Sequence, residues 1–231
     1  MLYEPFEDHQ IRENAAEELL KLCADAMSSR REAMRQLFAE FDAGSLRHHR
    51  TRVVHAVFAA FDDMDAIYPA LWIPHMEGRV KLDEFRVMRD DFAARKSLYQ
   101  DLFELGSRTL AFTAPIANLA LRGDARSYSD QESRSLNKAR RTTAFRRAEW
   151  LVDFPLAEKL YTSVSRNTRN DIGHTLVHHD AANGLLVYED GSEENYLLFL
   201  LDSLAALRLS HYLLDVVQIL DYTRIALRSM P

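Results

Sequence analysis

Apolar residues recur every three or four positions along most of this chain, the spacing of an amphipathic helix. Ile11, Ala15, Leu19, Leu22, Cys23 and Met27 trace one helical face. Met34, Leu37, Phe38 and Phe41 continue it to a stop at Ala43-Gly44-Ser45. A third segment runs from about Leu46 to Tyr68, with Val54, Val57, Phe58, Phe61 and Met64 on one side. Pro69 and Trp72-Ile73-Pro74-His75 interrupt it, and Glu77-Gly78 adds a turn. The boundary this suggests splits the chain into an N-terminal helical region, 1–80, whose residues name no role, and a helical domain, 81–231.

A long helix is expected from Leu82, carrying Phe85, Met88, Phe92, Tyr99, Leu102 and Phe103, running on to Pro115 and resuming through Ile116 to Leu121. Gly123 to Ser129 is polar and reads as a loop. Helix resumes near Ser135 and breaks at Asp153-Phe154-Pro155, where Pro155 suits the first turn of the next helix because its missing N–H would be unpaired there. That helix carries Leu156, Leu160, Tyr161 and Val164. The pattern then changes. Thr175 to His179 and Leu185 to Tyr188 have strand composition around the turn-forming Asp180-Ala181-Ala182-Asn183-Gly184, so a small β-hairpin is expected. Ser192 is a candidate cap for a last helix, apolar nearly all round from Tyr196, with Glu193 and Glu194 in its first turn.

Composition agrees with this all-α reading. Seven glycines and six prolines in 231 residues leave little turn material, which favours few, long elements. The single Cys23 cannot form an internal disulfide, so a reducing cytoplasm is the simplest compartment. No leader pattern is visible. The apolar stretch Tyr196 to Leu214 is broken by Asp202, Arg208 and His211 and reads as a core helix, not a membrane span.

The net charge is −6, but its distribution matters more than its sum. Between Arg134 and Arg147 lie Arg134, Lys138, Arg140, Arg141, Arg146 and Arg147, with no acid among them. This is either a solvated helix face or a strip that binds phosphates; on the second reading Lys138, Arg140 and Arg141 are candidate RNA contacts.

The densest chemistry lies in Arg169-Asn170-Asp171-Ile172-Gly173-His174. A guanidinium can hold a phosphate through paired hydrogen bonds, and an imidazole can move a proton near neutral pH. Those are the minimum parts for cleaving a phosphodiester without a metal. On an ideal helix positions 169 and 174 lie about 140° apart, whereas Arg166, Asn170 and His174 form an i, i+4, i+8 stripe. Either the helix ends near Gly173 and His174 swings round, or Arg166 shares the phosphate role.

The motif Arg169-x4-His174, with Asn170 after the arginine, resembles the signature of the HEPN superfamily, helical-bundle domains of defence and RNA-processing systems. The resemblance covers roughly residues 82–231 and includes the long preceding helix, the hairpin-like insert and the closing apolar helix. It implies an all-α, HEPN-like bundle with a small β-hairpin insert and additional N-terminal helices. It further implies metal-independent RNA cleavage at a cleft between two protomers, with His174 as acid/base, Arg169 as phosphate ligand and Asn170 positioning them. A homodimer, an RNA substrate, an antitoxin or defence-system partner protein and no cofactor go with that reading.

Other residues carry blander expectations. His174 and His178 share i, i+4 spacing beside His179 and Asp180, but no cysteine cluster accompanies them, and His178 and His179 point to opposite faces of a strand; no metal is expected. His48 and His49, in the basic run Arg47 to Arg52, read as solvated. His55 and His211 read as core or interface residues, and Trp72 and Trp150 as packing anchors. The rival to a ribonuclease is a catalytically silent HEPN-like module for dimerisation or for RNA or protein binding in a larger defence system.

Overall fold

The structure, a computed structural model, describes residues 5–43, 46–77, 86–87, 92–164 and 177–229. It is mostly helical with one small sheet. Four long helices build the core: α1 (Pro5–Ser29), α3 (Leu46–Glu77), α4 (Phe92–Arg122) and α8 (Tyr196–Ser229), with α2 (Arg31–Ala43) packed alongside. Between α4 and the sheet come the short helices α5 (Leu136–Arg141), α6 (Ala144–Ala148), a 3-10 turn over Glu149–Asp153, and α7 (Glu158–Thr162).

Helix α8 is the central element. It packs on α1, α3 and α4 and buries Tyr196, Phe199, Leu209, Leu213, Val216 and Leu220. It is long and apolar enough to cross a membrane, yet 60% of its most apolar window is buried inside the fold, as in a core helix. Its direction follows from its partners. Arg50 of α3 pairs with Asp221 at 3.0 Å, and Phe61 stacks near His211 at 5.0 Å, so α3 and α8 run antiparallel. Arg12 of α1 pairs with Asp215, and Arg224 and Arg228 both reach Asp42 of α2. One apolar cluster runs from Ala15 through Phe112 to Leu227, joining the first three helices to the rest. The boundary expected at residue 80 falls outside the described residues.

Several expectations are corrected. The first helical face does not continue unbroken: Ser28 and Ser29 bond back to the carbonyl of Asp25, competing with the backbone ladder, and the helix breaks at Arg30. Arg30 there reaches across to the carbonyl of Leu119 at 3.1 Å. Helix α3 runs through Pro69 and Pro74 to Glu77, so these prolines do not end it as expected. Its buried face is Leu46, His49, Val53, Val57 and Ala60, while Phe58 and Phe61 are 65% and 48% exposed. Helix α4 begins at Phe92, and Arg86 and Val87 lie outside any helix. It then passes straight through the buried Pro115.

The hairpin expected after the motif has gained a strand. β1 (Val177–Asp180), β2 (Leu185–Tyr188) and β3 (Glu193–Asn195) form an antiparallel sheet in the order β1-β2-β3. Ser192 therefore does not cap the last helix. Glu193 and Glu194 pair with β2, and the Asn195 side chain accepts the Leu197 N–H at 3.1 Å as the cap. At the hairpin tip Asp180 accepts from the Ala182 N–H and from the Asn183 amide. The sheet seats on α8 through β3 and through His179, whose ring lies 4.1 Å from that of Tyr196, and it buries Leu186.

Candidate nucleic-acid interface

Arg166, Arg169, Asn170 and His174 lie outside the described residues. The last described residue before them is Val164, just beyond α7, and the chain is described again from Val177. Lys138, Arg140 and Arg141 are described, and they part company.

The basic run from 134 to 147 is folded into two short helices because Ser135 and Thr143 each cap a turn, accepting from the backbone N–H of Lys138 and of Arg146. That fold sorts the cations into two groups. Arg134 is buried, makes a two-pronged pair with Asp130 at 2.6 Å, and lies over the rings of Tyr128 and Trp150. Lys138 and Arg146 turn to Glu132, at 3.8 and 3.1 Å. These three are internally compensated.

Arg140, Arg141 and Arg147 point the other way, into a cleft of about 460 Å³ between α3, α4, α5 and α6. Arg52 from α3 and Arg108 from α4 line it too, so five arginines face one glutamate, Glu104. Among the described residues, Glu104 sits 3.9 Å from Arg108, and Asp101 4.0 Å from Arg52. The inner wall is aromatic. Phe112 packs on Phe41 beneath, carries the His49 ring at 5.1 Å and holds the Arg140 guanidinium 6.0 Å from its centroid.

Arg147 is the distinctive member. It is only 5% exposed. Its Nε donates to the carbonyl of Thr142 at 3.0 Å, but its Nη1 is buried and has no hydrogen-bond partner among the described residues. Burial pulls the pKa of this guanidinium down, and Arg108 adds to that, while Glu104 opposes it. A buried cation with an unused donor is costly unless something negative completes it. An anion in the cleft would do so.

His49 is the other correction. It is buried, not solvated, and its Nε2 lies 2.8 Å from the Thr109 hydroxyl. His55, expected in the core or at an interface, is exposed and so not in the core. Burial first, and then Arg52, Arg108, Arg140 and His48, push the His49 pKa down to about 4. It is neutral at pH 7, so the positive charge of the cleft comes from the arginines. Trp150 is a packing anchor as expected, fully buried with its ring 4.6 Å from that of Tyr128.

No family model, curated protein or solved structure matches this chain. No group of three or more His, Cys, Asp or Glu side chains able to hold a metal occurs among the described residues. Five guanidinium groups lining one cleft are chemically able to hold an anion. Sequence reasoning missed Arg52 and Arg108 as members of the cleft. Arg52 closes a visible basic run to which no site was assigned, and Arg108 sits one helical turn after Glu104 on a mixed-charge helix, so neither stood out as a site residue.

A second cavity, of about 600 Å³, adjoins the cleft and shares Arg147 and Glu104 with it. Val164 lines this cavity, so the chain enters the motif segment from its wall.

Proposed function

We propose that this chain is a HEPN-type, metal-independent endoribonuclease whose arginine cleft docks the phosphates of its RNA. The observation that carries the reading is the convergence of Arg52, Arg108, Arg140, Arg141 and Arg147 on one cleft, with a buried Arg147 donor that has no partner among the described residues. RNA is a polyanion, and each phosphate contact releases counterions. The motif supports the catalytic half of the reading.

In this scheme His174 accepts the proton of a ribose 2′-hydroxyl. The freed oxygen attacks the adjacent phosphorus, the bond to the 5′-oxygen breaks, and that oxygen leaves with a proton. The products are a 2′,3′-cyclic phosphate, opened by water to a 3′-phosphate, and a 5′-hydroxyl. Arg169 stabilises the charge that builds on the phosphate, Asn170 positions the pair, and Arg166 supports the phosphate from the same stripe. A second copy of the chain completes the site.

RNA cleavage measured in EDTA tests this. Wild type should retain activity, and His174→Ala should lose about a hundred- to ten-thousand-fold. Arg169→Ala should lose a similar share. Equal rates in all three proteins, or loss of activity on chelation, overturns the proposal.

The second reading is a silent RNA-binding module. It is favoured by the cleft itself, which offers guanidinium groups for phosphates while the buried imidazole of His49 is engaged with the Thr109 hydroxyl. Salt-sensitive RNA binding that His174→Ala leaves unchanged, with no cleavage, would establish this reading instead.

A further inference from the structure

We infer that the cavity beside the arginine cleft receives one splayed base of single-stranded RNA while Arg147 holds that nucleotide's phosphate. The inference rests on the reading of the cleft as a phosphate site and adds a base-binding subsite to it.

The cavity is apolar where the cleft is charged. Phe103 and Leu110 of α4, Phe145 of α6, Leu151, Tyr161 and Leu209 form its walls. Its volume of about 600 Å³ lies within the range of small-molecule sites. Bringing α8 this close to α4 requires Gly106, where a Cβ would stand 3.0 Å from the Leu209 side chain. Phe145 stands at the rim, 57% exposed, as a flat platform for a base. Sequence-tolerant recognition of unpaired bases rests on such aromatic stacking.

Two buried polar atoms in the walls lack partners among the described residues, and they differ in kind. The hydroxyl of Ser107, a residue only 8% exposed, is unbonded and can give or take one hydrogen bond to a base edge. The Nη1 of Arg147 is the unpaired cationic donor described above. Because Arg147 lines both chambers, a group bound there has an apolar chamber on one side and four more arginines on the other. Inorganic phosphate satisfies only the charged side, and an apolar molecule only the other. A nucleotide satisfies both.

Isothermal titration of the full chain with inorganic phosphate, the four ribonucleosides, their 3′-monophosphates and a short oligouridylate tests this. At least one monophosphate should bind ten or more times more tightly than phosphate or its own nucleoside, and should displace the oligonucleotide. Phe145→Ala removes an exposed side chain, so folding is not at risk; it should weaken the monophosphate about tenfold or more and leave phosphate within twofold. Arg147→Gln should weaken both. Equal affinity for phosphate and monophosphate, no effect of Phe145→Ala, or monophosphate binding that does not compete with the oligonucleotide overturns the inference. Salt-sensitive RNA binding with no base contribution sinks the inference and spares the phosphate cleft. Monophosphate binding without RNA cleavage supports the inference and sinks the ribonuclease.

Discussion

The Thr109 hydroxyl donates to the Leu105 carbonyl at 2.8 Å, so its single proton is spent, and the His49 Nε2 beside it at 2.8 Å must be the donor in their contact. This sets the tautomer: Nε2 carries the proton and Nδ1 does not. A neutral histidine is thus built into the floor of a cleft ringed by arginines, where a second charge on the ring would be opposed by burial and by like charges together.

That relationship makes stability depend on pH. The folded pKa, about 4, lies below the usual value of 6.5, so between those limits the unfolded chain binds more protons. The His49 contribution is fully present above pH 6.5 and is lost as pH falls towards 4, on the order of 3 kcal/mol in all. Urea unfolding of wild type and His49→Gln at pH 7.5, 6, 5 and 4.5 checks this. Wild type should lose stability more steeply than the variant; parallel curves would refute the assignment.

The helices were largely legible in the letters because long amphipathic runs state their period many times. Which face is buried was less so. Val57 and Phe58 are neighbours on α3 and both apolar, yet the first is 3% and the second 65% exposed; the packing of α8 and α4 on this helix decides between them. The basic run between 134 and 147 was visible as charge, but its partition was not. Asp130 and Glu132, just outside the run, neutralise Arg134, Lys138 and Arg146, and two caps then turn Arg140, Arg141 and Arg147 elsewhere. Ser192 looked like a helix cap because the letters do not reveal that β2 has a free edge for Glu193 and Glu194.

The end of α4 is tied to the 3-10 turn by Arg122, which grips buried Asp153 with two nitrogens at 3.0 and 2.7 Å and also bonds Asn118. Removing Asp153 leaves the Arg122 guanidinium, only partly exposed, without its carboxylate. Asp153→Ala should cost about 3 kcal/mol in urea unfolding, or somewhat less because Arg122 is partly exposed. A loss under about 0.5 kcal/mol would place the pair among ordinary surface contacts.

Gly184 closes the hairpin with φ +65°, and a Cβ there would meet the backbone of Val87 at 3.1 and 3.2 Å. Gly191 has φ +81° with nothing near it. Both alanine variants should lose about 1 kcal/mol or somewhat more from the left-handed backbone alone. Gly184→Ala should lose more, since Val87 must move. Equal losses on urea unfolding would mean that Val87 does not press on the hairpin tip.

The cleft makes the sharpest demand on RNA binding. For single strands the logarithm of affinity falls with that of salt by about 0.7 for each phosphate contact. Replacing Arg140 or Arg141 with Gln should therefore weaken binding of an oligoribonucleotide and flatten that slope by about 0.7 each. Lys138 shares their helix, but its ammonium stands 3.8 Å from Glu132 and it does not line the cleft, so Lys138→Gln should flatten the slope by less. The comparison separates a placed cleft from bulk charge, because all three variants remove one cation from the same six-residue helix. If the three slopes change alike, general electrostatic attraction accounts for the binding and the cleft has no special standing. If only the two arginines matter, the phosphates run beside the Arg147 Nη1, which has no partner among the described residues, and the partition of the basic run becomes the device that aims RNA at the site.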